Sequence, residues 1–421
     1  MNIIIKQAKI IDPTSPHNGQ VADIHIANGK IKSINKKLSV KGVKTLDVKG
    51  LHVSPGWMDI FSDFADPGFE YRETITSGAR AAAAGGYTHI CIVPNTQPAI
   101  DQKSVVEYVI QKSKELPVTI YPLGSITRGA EGKELAEMYD MKQSGAIAFT
   151  DGKNPLQSAG ILVKALQYIK SFNGVLIQVP DDKSISPNGL VNEGITSTQM
   201  GLPGRPEIAE EIAVANNIRL NEYAGSKLHL TGISTEASLK FVKEAKQKKA
   251  DVTCSVTPYN LIFCDEDLVG YDTNLKVHPS LRNKKDRKAL QKAIKDGSVD
   301  CIASHHIPQD KDNKVVEFEY AKNGMISLQT VYAALNTALP DIAQQRWVEL
   351  LAVNPRSILS LPVPSIIEGN EASLTFFDPK KNWVFNESDI LSQSKNSPFT
   401  GRSFTGKPVG TYHKDQLTLN H

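Results

Sequence analysis

Eight short apolar runs recur between residues 57 and 304, each followed by a helix or a helix-bearing loop; this alternation restricts the fold more than any other feature. The runs are WMDIFSDF (57–64), THICIVP (88–94), VTIYPLG (118–124), AIAFTD (146–151), GVLIQVP (174–180), KLHLTGI (227–233), DVTCSV (251–256) and VDCIAS (299–304). Amphipathic segments separate them, among them ETITSGARAAAAGG, SVVEYVIQKSKEL, AGILVKALQYIKSF, PEIAEEIAVANNI, EASLKFVKEAKQKK and KKDRKALQKAIKDG. Eight such units predict an α/β chain folded as a (β/α)8 TIM-type barrel. A doubly wound open sheet is the rival. It more often shows a Gly-rich phosphate loop after an early strand, and none is present.

The two ends of the chain have a different texture. NIIIKQAKII, VADIHIA, KIKSIN and KTLDVKG at the start, and ASLTFFDP, NWVFN and GKPVGTYH near the end, read as short strands. The expectation is one small β-sandwich domain made of residues 1–52 and 365–421, with a barrel of residues 53–364 inserted. The stretch VPDDKSISPNGLVNEGITSTQMGLPGRP after the fifth run is a long loop. Loops at that end of a barrel strand are where sites are built.

Composition narrows the function classes. A net charge of +3 over 421 residues, with Lys and Arg spread along the chain, gives no sign of nucleic acid or membrane-surface binding. Hydrophobic content of 40% and charged content of 22% fit a soluble globular protein with a large core. No run of apolar residues is long enough for a transmembrane helix, and the N-terminus alternates like a strand instead of reading as a signal peptide. A cytoplasmic location is the default expectation. Cys91, Cys254, Cys264 and Cys301 form no CxxC pair, and three of them sit in apolar runs, as reduced core thiols do.

Longer motifs carry more information. SPGWMDI, AAAAGGYTHICIVPNTQP, GAIAFTDG, VNEG, RPEIAEEIAVA, ISTEASLKFV, VTCSVTPYNLIF, HPSLR, GMISLQT, NPRSILSLP and FFDPKKNWVFN follow one another almost end to end. In this order they resemble the amidohydrolase superfamily, and within it the bacterial dihydroorotases. The resemblance implies interconversion of dihydroorotate and N-carbamoylaspartate in pyrimidine synthesis. It also implies zinc, which polarises the amide carbonyl and lowers the pKa of bound water toward ~7.

The site implied by the resemblance is largely missing. The family's first strand reads Asp-x-His-x-His-x-Arg, with both histidines on one face of the strand. This chain has Asp59, then Phe61, Asp63 and Ala65, with Pro67-Gly68 keeping the frame. Phe61 cannot ligate, Asp63 offers only oxygen, and the methyl of Ala65 cannot replace an arginine fork on a substrate carboxylate. Asp151 matches a family metal-binding Asp. Gln178 stands in place of the fifth-strand ligand His, and glutamine is a weak neutral ligand. Gly232 replaces the sixth-strand His. His229 matches a family histidine that is no ligand and reads as a packed strand residue.

At the eighth strand His305 replaces the metal-bound Asp that acts as general base, His306 matches, and Gln309 replaces a substrate-binding His. His305 is therefore the catalytic candidate if there is one. His278 and Ser280 stand where relatives have Asn and Pro. Asn95 matches a substrate contact and equally suits capping of a turn.

Three functions follow. The first is a dihydroorotase-like pseudoenzyme of pyrimidine biosynthesis, with no cofactor, acting as a structural or regulatory partner. The resemblance implies aspartate carbamoyltransferase as the partner, since some degenerate chains of this type assemble with it, and a homodimer is common for such barrels. The second is an active cyclic amidohydrolase with a remodelled zinc site of Asp63, Asp151 and His305. The third is a metal-free binder of small molecules.

Overall fold

The computed structural model describes residues 1–420. All six amphipathic segments form helices: Ile75–Ala84, Lys103–Ser113, Ala159–Lys170, Ile208–Ala224, Glu236–Gln247 and Lys284–Asp296. Their ends are locally encoded. Thr74, Ser158, Thr235 and Asn283 each accept a backbone N–H of the first turn through the side chain. Among the described residues no helix is long and apolar enough to cross a membrane.

Seven of the eight apolar runs form parallel strands. Trp57–Ser62, Tyr87–Ile92 and Thr119–Pro122 pair in that order, and Val175–Gln178, Lys227–Leu230, Val252–Val256 and Cys301–Ile302 form a second ladder. Side chains alternate between two cores. Met58, Ile60, Cys91, Val93, Leu123, Val175, Ile177, Cys301 and Ala303 cluster on one face. Trp57, Ile90, Ile92, Leu176, Leu228, Leu230 and Val256 pack with the helices on the other. Strands buried on both faces must be apolar throughout, so these runs lack a polar alternation.

The run at 146–151 differs from the expectation. Only Phe149 pairs, by single bridges to Gly124 and Leu176. Its N–H donates to the Val175 carbonyl (3.0 Å) and its carbonyl accepts from Ile177 (2.8 Å). At its end the Asp151 side chain accepts the N–H groups of Ile126 and Thr127. A further bridge joins Ser62 to His306.

Both chain ends enter one eight-stranded sheet. Leu374–Val384 pairs antiparallel with His52–Pro55 and with Ser403–His413, and His52–Pro55 pairs with Asn2–Ile10. Ile3, Ile5, Ile10, Ile24, Ile26, Leu374, Phe376 and Tyr412 form its core. NWVFN and ASLTFFDP, read separately in the sequence, share the one strand Leu374–Val384.

Candidate functional site

Three positions where the resemblance places zinc chemistry pack together without a metal-holding arrangement. Phe61, at the end of the strand Trp57–Ser62, stacks on His305, with ring centroids 4.4 Å apart and planes 25° from parallel. Both residues are buried. Gly232 lies beside them at φ +77°, and a Cβ there would sit 3.0 Å from the His305 ring and 3.0 Å from Pro279. The bare Cα at 232 therefore makes the room that His305 occupies. His305 itself has φ +43°, a backbone state unusual for a side-chain-bearing residue.

The His305 ring joins a hydrogen-bond chain. Thr253 Oγ1 meets His229 Nδ1 (2.9 Å), His229 Nε2 meets Ser255 Oγ (3.0 Å), Ser255 donates to Thr231 Oγ1 (2.8 Å), and Thr231 meets His305 Nε2 (2.9 Å). Burial pushes His305 down to about 3, with the neighbouring His278 acting in the same direction. Burial likewise lowers His229 to about 3. Both rings are thus neutral at physiological pH, and His305 Nε2 is already hydrogen-bonded to Thr231.

The two carboxylates are also engaged. Asp63 Oδ1 accepts the N–H of Ala65 (2.8 Å), and its other oxygen pairs with the Lys153 ammonium. Arg72 stands 3.9 Å away. Burial opposes the charge, but Lys153 and then Arg72 outweigh it and hold the Asp63 carboxyl below its ordinary value. Asp151 Oδ1 accepts from Ile126 and Thr127 N–H, each at 2.9 Å, and Oδ2 from the Thr127 hydroxyl at 2.5 Å. Burial dominates here and raises Asp151 to about 6, with the Thr127 and Ile126 bonds opposing it. A donor set of one lysine-paired carboxylate, one donor-saturated carboxylate and one engaged imidazole does not fit zinc. Among the described residues no group of three or more His, Cys, Asp or Glu is placed to hold a metal.

The remaining expected positions have their own partners. Asp59 binds the strand ends together, accepting from Ser304 N–H (2.6 Å), Ser304 Oγ (2.8 Å) and Ser62 Oγ (2.6 Å). Asn95 donates to the Asp151 carbonyl (3.0 Å) and accepts the Lys153 N–H (2.8 Å). Gln178 is buried, and its carbonyl accepts from Thr231 N–H at 2.9 Å. His306 accepts the Ser327 N–H at Nδ1 (3.1 Å), with Nε2 3.5 Å from Glu73. Gln309 donates to the Asn323 carbonyl (2.8 Å), and the Ser280 carbonyl accepts from Asn260 (2.9 Å).

Phe61 and His305 form one wall of a cavity of about 170 Å³ whose polar lining includes Lys153, Asp181, Lys183, Arg205 and His278. Arg205 donates to Asp181 (3.1 Å) and to His278 Nδ1 (2.9 Å). Arginine only donates, so His278 carries its proton on Nε2. Burial, followed by the Arg205 charge, lowers His278 to about 3. The sequence reading singled out none of Lys153, Asp181, Lys183 and Arg205. The long loop after the fifth run was the available signal, since three of the four lie in it.

Residues 50–238 match the dihydro-orotase-like family model. Along 98% of its length the chain is 39% identical to the dihydroorotase of Trichlorobacter lovleyi, covering 97% of that protein. The chain belongs to the dihydroorotase-like family. The dihydroorotase of Syntrophus aciditrophicus is 38% identical over the same shares of the two chains. Among solved structures, the L-hydantoinase (dihydropyrimidinase) from Arthrobacter aurescens superposes with a TM-score of 0.87 at 22% identity, covering 99% of this chain and 95% of that one. Dihydropyrimidinase from Brevibacillus agri gives 0.84 at 18% identity, covering 100% and 95%. The dihydroorotase-like chain thus shares its α/β fold with the hydantoinases, while its first-strand end carries Phe61 and Asp63.

Proposed function

We propose that this dihydroorotase-like chain is a non-catalytic member of its family, retained as a structural or regulatory partner in pyrimidine biosynthesis. One observation supports the reading: Phe61 and His305, at two of the positions where the resemblance puts zinc chemistry, stack on each other beside Gly232. The pairing of Asp63 with Lys153 supports it, because an ammonium there satisfies a carboxylate that would otherwise attract a cation. The partner we favour is aspartate carbamoyltransferase, with the chain itself a homodimer. We place a (β/α)8 barrel in residues 53–364, closed through the Gly124–Phe149–Leu176 and Ser62–His306 bridges, and a β-sandwich domain in residues 1–52 and 365–421.

The decisive test is elemental analysis of the purified protein together with assays of dihydroorotate hydrolysis and of N-carbamoylaspartate cyclisation. The expected result is no stoichiometric zinc and no turnover in either direction. Zinc at one per chain with turnover removes the proposal. The competing reading, an active amidohydrolase with a remodelled site, draws support from the cavity that persists beside His305. It requires Asp151→Ala to abolish activity and metal together.

A further inference from the structure

The lysines that are dispersed along the sequence converge in space on the outer surface. The helices Glu236–Gln247 and Lys284–Asp296 pack side by side, and the groove between them, about 370 Å³, is lined by Lys240, Lys243, Lys285, Lys288 and Lys292. Two carboxylates, Glu236 and Asp296, face the same groove. Its floor is apolar, made of Leu239, Ala289 and Ala293.

Glu236 is fully used. It pairs with Lys240 of its own helix (3.3 Å) and with Lys285 across the groove (3.0 Å), tying the two walls. Among the described residues, no carboxylate lies within salt-bridge distance of Lys243, Lys288 or Lys292. At the groove's end, Asp296 accepts from Ser298 N–H (2.9 Å) and Ser298 Oγ (2.5 Å). Three solvent-exposed ammonium groups therefore border an apolar floor without a salt bridge. Against burial, the Ser298 bonds and, through space, Lys243 and Lys292 hold the Asp296 carboxyl below its ordinary value. The groove as a whole sets five lysines against two carboxylates.

We propose that this groove docks an acidic, amphipathic segment of a partner protein, its carboxylates on Lys243, Lys288 and Lys292 and its apolar side chains on Leu239, Ala289 and Ala293. Charge complementarity selects an anionic occupant. The apolar floor selects a protein segment. Single-stranded nucleic acid binds through aromatic stacking platforms, and no aromatic side chain lines the groove. Insertion into a membrane surface needs apolar side chains that project, whereas these lie beneath the lysines. The groove is on the helices' outer side, so this inference stands whether or not the cavity beside His305 turns over a substrate.

The test uses the full chain and a fluorescein-labelled helical peptide with glutamates on its flanks and leucines on one face. Its controls are the same peptide with leucine replaced by serine, a single-stranded oligodeoxynucleotide and phosphatidylserine vesicles. Anisotropy should show saturable binding of the leucine peptide that weakens as salt rises. The triple variant Lys243→Glu, Lys288→Glu, Lys292→Glu should weaken it by about ten-fold or more, and the corresponding triple Gln variant by less. Melting temperatures of the variants, expected to match the parent, separate lost binding from lost folding. The inference is overturned by no binding at low salt, by equal binding to the triple Glu variant or the serine peptide, or by tighter binding of the oligonucleotide or vesicles.

Discussion

Phe61 stacks on His305 at 4.4 Å, and the glycine at 232 is what lets it. The three positions therefore behave as one packing unit. Gly232→Ala should destabilise the chain by about 1–3 kcal/mol, from the positive φ and the crowded Cβ together. In a His305→Ala background part of that cost should vanish, leaving a coupling of about 0.5–2 kcal/mol in urea denaturation. Strict additivity would show that the glycine and the histidine do not constrain each other.

Asp151 gives a pH signature. Its folded value, about 6, lies above the ordinary carboxylate value of 3.8, so the folded state holds the proton more tightly than the unfolded state. The resulting stabilisation is complete below about pH 4 and is lost as pH rises through about 6. Relative to Asp151→Asn, the parent should lose on the order of 2–3 kcal/mol between about pH 4 and about pH 7. Urea midpoints at the two pH values measure this, and parallel profiles for parent and variant would contradict it.

Asn95 links the turn after the second strand to residues 151–153 through two hydrogen bonds. Asn95→Ala should lower stability by about 1–3 kcal/mol because the Lys153 N–H and the Asp151 carbonyl lose their partner. If binding or turnover of any ligand changes while the melting temperature does not, Asn95 acts on a ligand and not on the loop.

Cys91, Cys254, Cys264 and Cys301 are all free and buried. Burial raises the thiol pKa of each, which depletes the reactive thiolate. A thiol reagent should label none of them rapidly in the native protein and all four after denaturation. Fast native labelling of Cys264, the one nearest the surface by its surroundings, would reveal local opening of its loop.

Much of the fold was legible because its signals are local. Helix caps, apolar runs and the β texture of both ends each depend on neighbouring residues, and six helices and seven parallel strands form where these signals lie. The run at 146–151 has the same composition as its neighbours yet pairs only at Phe149. It ends on Asp151, whose side-chain partners Ile126 and Thr127 sit in another loop. The candidate site was legible as a set of substitutions and illegible as an arrangement. Asp63 finds Lys153 across ninety residues of chain, and no spacing rule predicts that pairing. The exposed groove was missed for the same reason, since even spacing of lysines along a chain says nothing about which helices pack together.

The sequence by itself determined most of the order of strands and helices, the family, and the residues Phe61, Asp63, Gln178 and Gly232 at the positions singled out by the resemblance. Residue type alone excludes ligation by Phe61 or Gly232. Only the tertiary structure decided which side chains pack at these positions and which charges are paired. It placed His305 on Phe61, Lys153 on Asp63, and five lysines along one groove. The physical reason is range. Backbone propensity and periodicity act within a few residues, whereas steric exclusion and Coulomb attraction depend on distances that only packing of remote segments sets.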